Sequence, residues 1–217
     1  MVSRLGALAA ALALATAGEG PAPASAVERA DPDLDRRVRG FLEERRDSWY
    51  ALNVPYQDGE VLHGLVRRAG ARRILEIGTS TGHSTIWLAW AAARTGGKVV
   101  TVEIDAERHA EALRNLEAAG LAAHVDARLG DAHDLVRTLP GPWDFVFQDA
   151  DKDWYLRYWV ELAPKIAPGG CYAAHNVLRP HAREVREFID AARADARFET
   201  SFAAGASVEG ILVACRR

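Results

Sequence analysis

The sequence predicts an α/β fold in which a mostly parallel, seven-stranded sheet carries helices on both faces and one antiparallel strand near its edge. Three observations lead there. From Arg73 onward, short apolar runs alternate steadily with amphipathic segments of helical spacing, the mark of repeated βα units. The first run, Ile74-Leu75-Glu76-Ile77, stops at Gly78 and passes through Gly82 into the segment Thr81–Ala93: strand, glycine-bearing turn, helix. The chain closes on two strand-like runs with almost no helix between them, which inserts an antiparallel strand near one edge.

The chain has 217 residues, 49% hydrophobic and 26% charged, enough to bury one full core. A net charge of -3 gives no electrostatic reason to expect nucleic acid as a partner. Residues 1–26 stand apart. Arg4 precedes an uncharged Ala/Leu run from Leu5 to Gly18, and Ala24-Ser25-Ala26 ends it. The segment reads as a secretory signal cleaved before Val27, or as a disordered extension, and it is too short for a stable membrane span. Residues 27–217 then form a single domain, of which 27–52 supply an outer helix.

In that outer helix, Asp33 to Tyr50, the positions Leu34, Val38, Phe41 and Leu42 recur at helical spacing among many charges, as in a helix that covers an edge or pairs two copies as a homodimer. Asn53-Val54-Pro55 breaks it, and Gln57–Ala69 is a second helix. After the glycine strand come Lys98–Ile104 as strand, Ala106–Ala119 as helix and Ala123–Leu129 as strand. Asp131–Leu139 is a short helix, Phe145–Gln148 a strand, and a helix follows near Trp154–Ala163. Cys171–Ala174 is a strand, Ala182–Ala194 a helix, and Phe198–Phe202 and Gly210–Cys215 are the final strands. Cys171 and Cys215 match neither a zinc pattern nor a disulfide framework. They are expected to lie close together on neighbouring strands and to stay mostly unbridged.

In such sheets ligands bind beyond the carboxyl ends of the strands, and the polar residues of this chain collect there. The turn reads Glu-x-Gly-x-x-x-Gly. Ser80 stands where a dinucleotide motif has its middle glycine, which favours a nucleotide-type ligand other than NAD. Glu76, beside the strand's end, is placed to meet a ligand ammonium. Glu103 ends the second strand, where a carboxylate accepts from ribose hydroxyls, while Asp105 suits the following helix N-terminus. His133 reads either as an adenine-edge residue or as a solvated helix start. Asp149 and Lys152 follow one strand, and His175 and Asn176 close the next. Singly they read as a helix cap, a surface charge and a polar turn. Jointly they offer a carboxylate, an imidazole and an amide to a divalent cation, with an amine in reach.

These blocks resemble the cation-dependent O-methyltransferases, the catechol and caffeoyl-CoA O-methyltransferase family, and above all its small bacterial members. The likeness runs from about Asn53 to the C-terminus through Glu76-Ile-Gly78-Thr79-Ser80-Thr81-Gly82-His83-Ser84, Val102-Glu103-Ile104-Asp105, Asp149-Ala150-Asp151-Lys152 and Asn176-Val177. The resemblance implies a Rossmann-like methyltransferase fold that binds S-adenosyl-L-methionine and moves its methyl group to a small hydroxylated aromatic. It implies that Val54, Glu76, Gly78, Thr79, Ser84, Glu103, Ala132 and Asp149 line the cofactor. Asp149, His175 and Asn176 would hold a divalent metal, and Lys152 would act as base. The family's usual residue before Asn176 is Asp. His175 weakens a site for Mg²⁺ or Ca²⁺ and suits Zn²⁺, Fe²⁺, Co²⁺, Ni²⁺ or Mn²⁺ better. His175, together with an export-like N-terminus remote from the cytoplasmic supply of S-adenosylmethionine, keeps an alternative open: a repurposed envelope protein that binds metal or ligand only.

Overall fold

The computed structural model describes residues 31–49, 52–178 and 183–217. The leader-like segment, Tyr50, Arg179, His181 and the expected first residue of the last helix, Ala182, lie outside the described residues. Seven strands form one sheet: β1 (Arg73–Ile77), β2 (Lys98–Glu103), β3 (Val125–Leu129), β4 (Trp143–Gln148), β5 (Ile166–His175), β6 (Phe198–Phe202) and β7 (Ile211–Arg216). Its order is β3-β2-β1-β4-β5-β7-β6, and β7 alone opposes its neighbours. The described helices are α1 (Pro32–Glu44), α2 (Tyr56–Ala69), α3 (His83–Thr95), α4 (Ala106–Ala119), α5 (Ala132–Thr138), α6 (Tyr155–Leu162) and α7 (Arg183–Ala194).

Side chains alternate across the sheet, so β4 sends Phe145 and Phe147 to one layer and Val146 to the other. Phe145 and Phe147 pack with Leu62, Ile86 and Leu88 of α2 and α3; Val146 packs with Tyr158, Trp159 and Phe188 of α6 and α7. The α3 helix is apolar on nearly every side because residues from His83 to Ala92 are all buried. The α1 helix buries Val38 and Leu42 against its own chain, and Arg37 donates to the last carbonyls of α4 at Glu117 and Ala118.

Three elements depart from the sequence reading. The α1 helix stops at Glu44 instead of reaching Tyr50, because Arg45 to Ser48 fold into a turn closed by the Ser48 hydroxyl on the Arg45 carbonyl. The β5 strand is ten residues long rather than four. It passes through Pro168-Gly169-Gly170 with an irregular register against β4 between Trp143 and Phe145. Finally, Cys171 and Cys215 are bridged. They are direct cross-strand partners on β5 and β7, their Cα atoms 4.0 Å apart, and a disulfide joins them. Apolar surroundings suggested inert thiols; the register leaves the two sulfurs facing each other.

The sheet order reverses between β1 and β4, which opens a crevice at their carboxyl ends. Gly78 leaves β1 at φ 99°, and a Cβ there would stand 2.7 Å from the Asp149 carbonyl oxygen. Only glycine lets the turn after β1 lie flat on the end of β4.

Candidate active site

A cavity of about 700 Å³ occupies that crevice. Gly78, Glu103, Ala132, Asp149, Lys152, His175 and Asn176 all line it, one or two at or following the end of each strand from β1 to β5. His133 also lines it, stacked on Trp154 with ring centroids 3.7 Å apart and lying between the Asp131 and Asp151 carboxylates.

Val54, Glu76, Thr79 and Ser84 are placed differently. All four are buried and none is among the residues lining the cavity. They form its supporting wall. The Val54 carbonyl accepts from His83 Nδ1 at 2.9 Å, and Trp87 Nε1 donates to His83 Nε2 at 3.0 Å, which fixes a neutral ring. Burial pushes His83 down to about 4, so the ring stays neutral. Beneath the glycine turn, the Thr101 hydroxyl donates to Glu76 at 2.6 Å and is itself bonded to Thr79 at 2.6 Å, while Thr85 also donates to Glu76. Burial pushes the Glu76 carboxyl up to about 7 against the pull of the Ser84, Thr101 and Thr85 hydroxyls. Its Oε1 has no hydrogen-bond partner.

Glu103 is held from both sides. Oε2 accepts the Ser80 N–H at 2.7 Å, and Oε1 accepts the Asp105 N–H and two N–H groups of Arg108, at 3.1 and 2.9 Å. Asp105 caps α4 through the N–H groups of Glu107 and Arg108, the role expected for it.

The densest polar cluster joins the ends of β4 and β5. Lys152 Nζ donates to Asp149 Oδ1 at 2.6 Å and to the Tyr155 hydroxyl at 2.9 Å, and Tyr155 donates in turn to the His175 carbonyl at 3.1 Å. His175 Nδ1 lies 3.2 Å from Asp149 Oδ2, and His175 Nε2 lies 2.8 Å from Asp58 Oδ2. Burial alone would lower His175, but the Asp149 and Asp58 carboxylates on either side of the ring outweigh it and push it up to about 9. Burial likewise pushes the Asp149 carboxyl up, and His175 and Lys152 together bring it below the usual range. Asn176 sits at φ 56° with its amide donating to Glu209 Oε2 at 3.3 Å, which leaves the amide oxygen for the cavity.

Asp58, Arg108 and Tyr155 were not singled out from the sequence. Asp58 reads as an ordinary acid in a helix's first turn, yet it is fully buried. Among the described residues no group of three or more His, Cys, Asp or Glu side chains gathers into a metal cage. The cation donors offered here are one carboxylate, one imidazole and one amide.

A sheet of this order, with β7 reversed and the cavity at its switch point, defines the Rossmann-like methyltransferase class. Comparison with known proteins then narrows the class. A family model described as O-methyltransferase matches residues 32–214, and the chain belongs to that family. It is 38% identical over 133 residues to a catechol O-methyltransferase of Niastella koreensis, covering 59% of this chain and 60% of that protein. To a catechol O-methyltransferase of Mycobacterium tuberculosis it is 43% identical over 133 residues, covering 59% of this chain and 58% of that protein. The match thus spans about three-fifths of the length of these curated relatives. The crystal structure of an O-methyltransferase from Bacillus cereus in complex with SAH superposes with a TM-score of 0.70 at 30% identity, covering 87% of this chain and 92% of that one.

Proposed function

We propose that the chain is an S-adenosylmethionine-dependent O-methyltransferase acting on a small catechol-like or phenolic hydroxyl. One observation carries this reading: Asp149, Lys152, His175 and Asn176 converge on the same cavity that Gly78 and Glu103 line. S-Adenosylmethionine supplies an activated methyl on a sulfonium, which an acceptor oxygen takes by in-line displacement, leaving S-adenosylhomocysteine. Glu103, held in place by Ser80 and Arg108, accepts from the ribose hydroxyls. The flat turn at Gly78 lets backbone approach the cofactor's amino-acid end, and Glu76 behind it, flanked by Thr79 and Ser84, supplies the balancing charge in its ionised form, which gains population as pH rises through about 7. Val54 and Ala132 complete the apolar walls. Lys152, tethered by Asp149 and Tyr155, is the amine in reach of the acceptor hydroxyl and serves as the base for its proton. Holding acceptor and methyl in line accounts for roughly 7–11 kcal/mol of barrier in favourable cases.

The donor chemistry fits a divalent cation held by Asp149, His175 and Asn176. The supporting observation is an orphaned atom: His175 Nδ1 is buried, 3.2 Å from Asp149 Oδ2, and off line for a hydrogen bond. A cation there would lower the pKa of a bound acceptor hydroxyl, easing the loss of its proton to Lys152.

A second reading, a repurposed envelope protein that binds metal or ligand only, is favoured by the Cys171–Cys215 disulfide, since such bridges persist in oxidising compartments. Titration calorimetry with S-adenosylhomocysteine, followed by a methyl-transfer assay on a catechol panel, separates the two. Binding with turnover supports the enzyme; tight metal uptake without cofactor binding supports the alternative.

A further inference from the structure

The buried carboxylate of Asp58 belongs to none of the motifs above, yet both of its oxygens are hydrogen-bonded. It stands in the first turn of α2, 117 residues from the histidine it meets. Oδ1 accepts the Ser207 N–H at 2.6 Å, and Oδ2 accepts the Ser207 hydroxyl at 2.6 Å. Two such donors hold it as an acceptor-only carboxylate, so the His175 nitrogen 2.8 Å away must carry the proton. The ring is then protonated on Nε2, and the lone pair of the neutral imidazole falls on Nδ1, facing Asp149.

We propose that Asp58 is a positioning residue that fixes the tautomer and orientation of His175, so that the site presents a nitrogen donor and selects a borderline transition ion such as Co²⁺ or Zn²⁺ over Mg²⁺. The inference rests on the metal reading given above and deepens it. Two donors about 2.1 Å from one ion, at angles between octahedral and tetrahedral, lie roughly 3.0–3.4 Å apart. His175 Nδ1 and Asp149 Oδ2 are 3.2 Å apart. A metal-bound histidine ordinarily donates its other N–H to a carboxylate, which raises the ring's basicity as a ligand. Asp58 fills that place, and it returns behind the ring the negative charge that a histidine at 175 lacks. Ser207 ties the same carboxylate to the 203–210 segment, with Gln57 donating to the Gly205 carbonyl at 2.6 Å beside it. The orientation of His175 is therefore set by α2 and by the loop before β7 together.

The test uses the full chain at pH 7.5, with calorimetry and equilibrium dialysis against CoCl₂, ZnCl₂ and MgCl₂, the Co²⁺ absorption spectrum, and S-adenosylhomocysteine binding as a control for folding. The wild type is expected to bind one Co²⁺ or Zn²⁺ at least tenfold more tightly than Mg²⁺. Asp58→Asn should weaken Co²⁺ about 10–100-fold and shift its spectrum while keeping cofactor affinity within twofold. His175→Asp should reverse the preference toward Mg²⁺. On that background Asp58→Asn should leave Mg²⁺ affinity unchanged, because Asp58 acts only through the imidazole. Equal weakening in both backgrounds makes Asp58 merely structural and overturns the proposal. So does a wild type that binds S-adenosylhomocysteine but no divalent ion, and this leaves the methyltransferase reading standing. A wild type that binds neither removes both.

Discussion

Gly78 and Asp149 meet backbone to backbone: a Cβ on the glycine would lie 2.7 Å from the aspartate's carbonyl oxygen. This contact joins the half of the crevice assigned to the cofactor to the half assigned to acceptor and metal. Gly78→Ala adds the Cβ and asks an L-residue to hold φ 99°. The expected cost is about 2–3 kcal/mol of stability with at least a tenfold loss of S-adenosylhomocysteine affinity, read by chemical denaturation and calorimetry. The glycine's role is dispensable if the alanine variant binds as the wild type does.

Glu76 sets a pH dependence of stability. Its carboxyl is pushed by burial up to about 7, against an unfolded value near 4.5. Between those values the folded chain holds a proton that the unfolded chain has released. Stability from this group is therefore fully present below about 4.5 and is lost as pH rises through about 7, by an amount on the order of 3 kcal/mol. Glu76→Gln should flatten that slope in urea melts taken from pH 4.5 to 8, and an unchanged slope would remove Glu76 as its source.

The Cys171–Cys215 bridge closes a loop with a sequence separation of 44. Loop-closure entropy for that length corresponds to about 4 kcal/mol, and reduction should lower Tm by roughly 8–16 °C for a chain of this size. Melting curves with and without dithiothreitol, beside the Cys171→Ser/Cys215→Ser double variant, check it. Identical melting under both conditions contradicts a structural role for the bridge.

What the sequence made legible was local. A strand end, the residues just after it and the turn that follows are one short stretch of chain, so Gly78, Glu103, Asp149, Lys152, His175 and Asn176 were all readable as strand-tip residues that face one crevice. The parallel sheet with one reversed strand near its edge followed from helix–strand alternation and the closing strand pair. The contents of the wall behind the crevice did not follow. Glu76 and Ser84 sit in the same motif as Gly78, but Glu76 lies within β1 and Ser84 in the first turn of α3, and burial puts both behind the surface that the glycine opens onto. Asp58 was illegible for a different reason. An acid in a helix's first turn favours the helix dipole in any protein, and only the contact with His175, 117 residues away, distinguishes this one. Arg108 was hidden likewise, as one basic residue on the polar face of α4, until its guanidinium met Glu103.

Methyl transfer itself gives the most direct measurement, because the account depends on Lys152 standing beside the acceptor oxygen. Purified wild type and the Lys152→Ala, Asp149→Ala and Tyr155→Phe variants are assayed for S-adenosylhomocysteine release on a catechol panel, metal-free and with each divalent ion. The account predicts turnover by the wild type, losses of about 10²–10⁴-fold for Lys152→Ala and Asp149→Ala, and a smaller loss for Tyr155→Phe. Cofactor affinity should be unchanged in Lys152→Ala. Near-normal turnover by both Lys152→Ala and Asp149→Ala, or none by a wild type that binds S-adenosylhomocysteine, would contradict it.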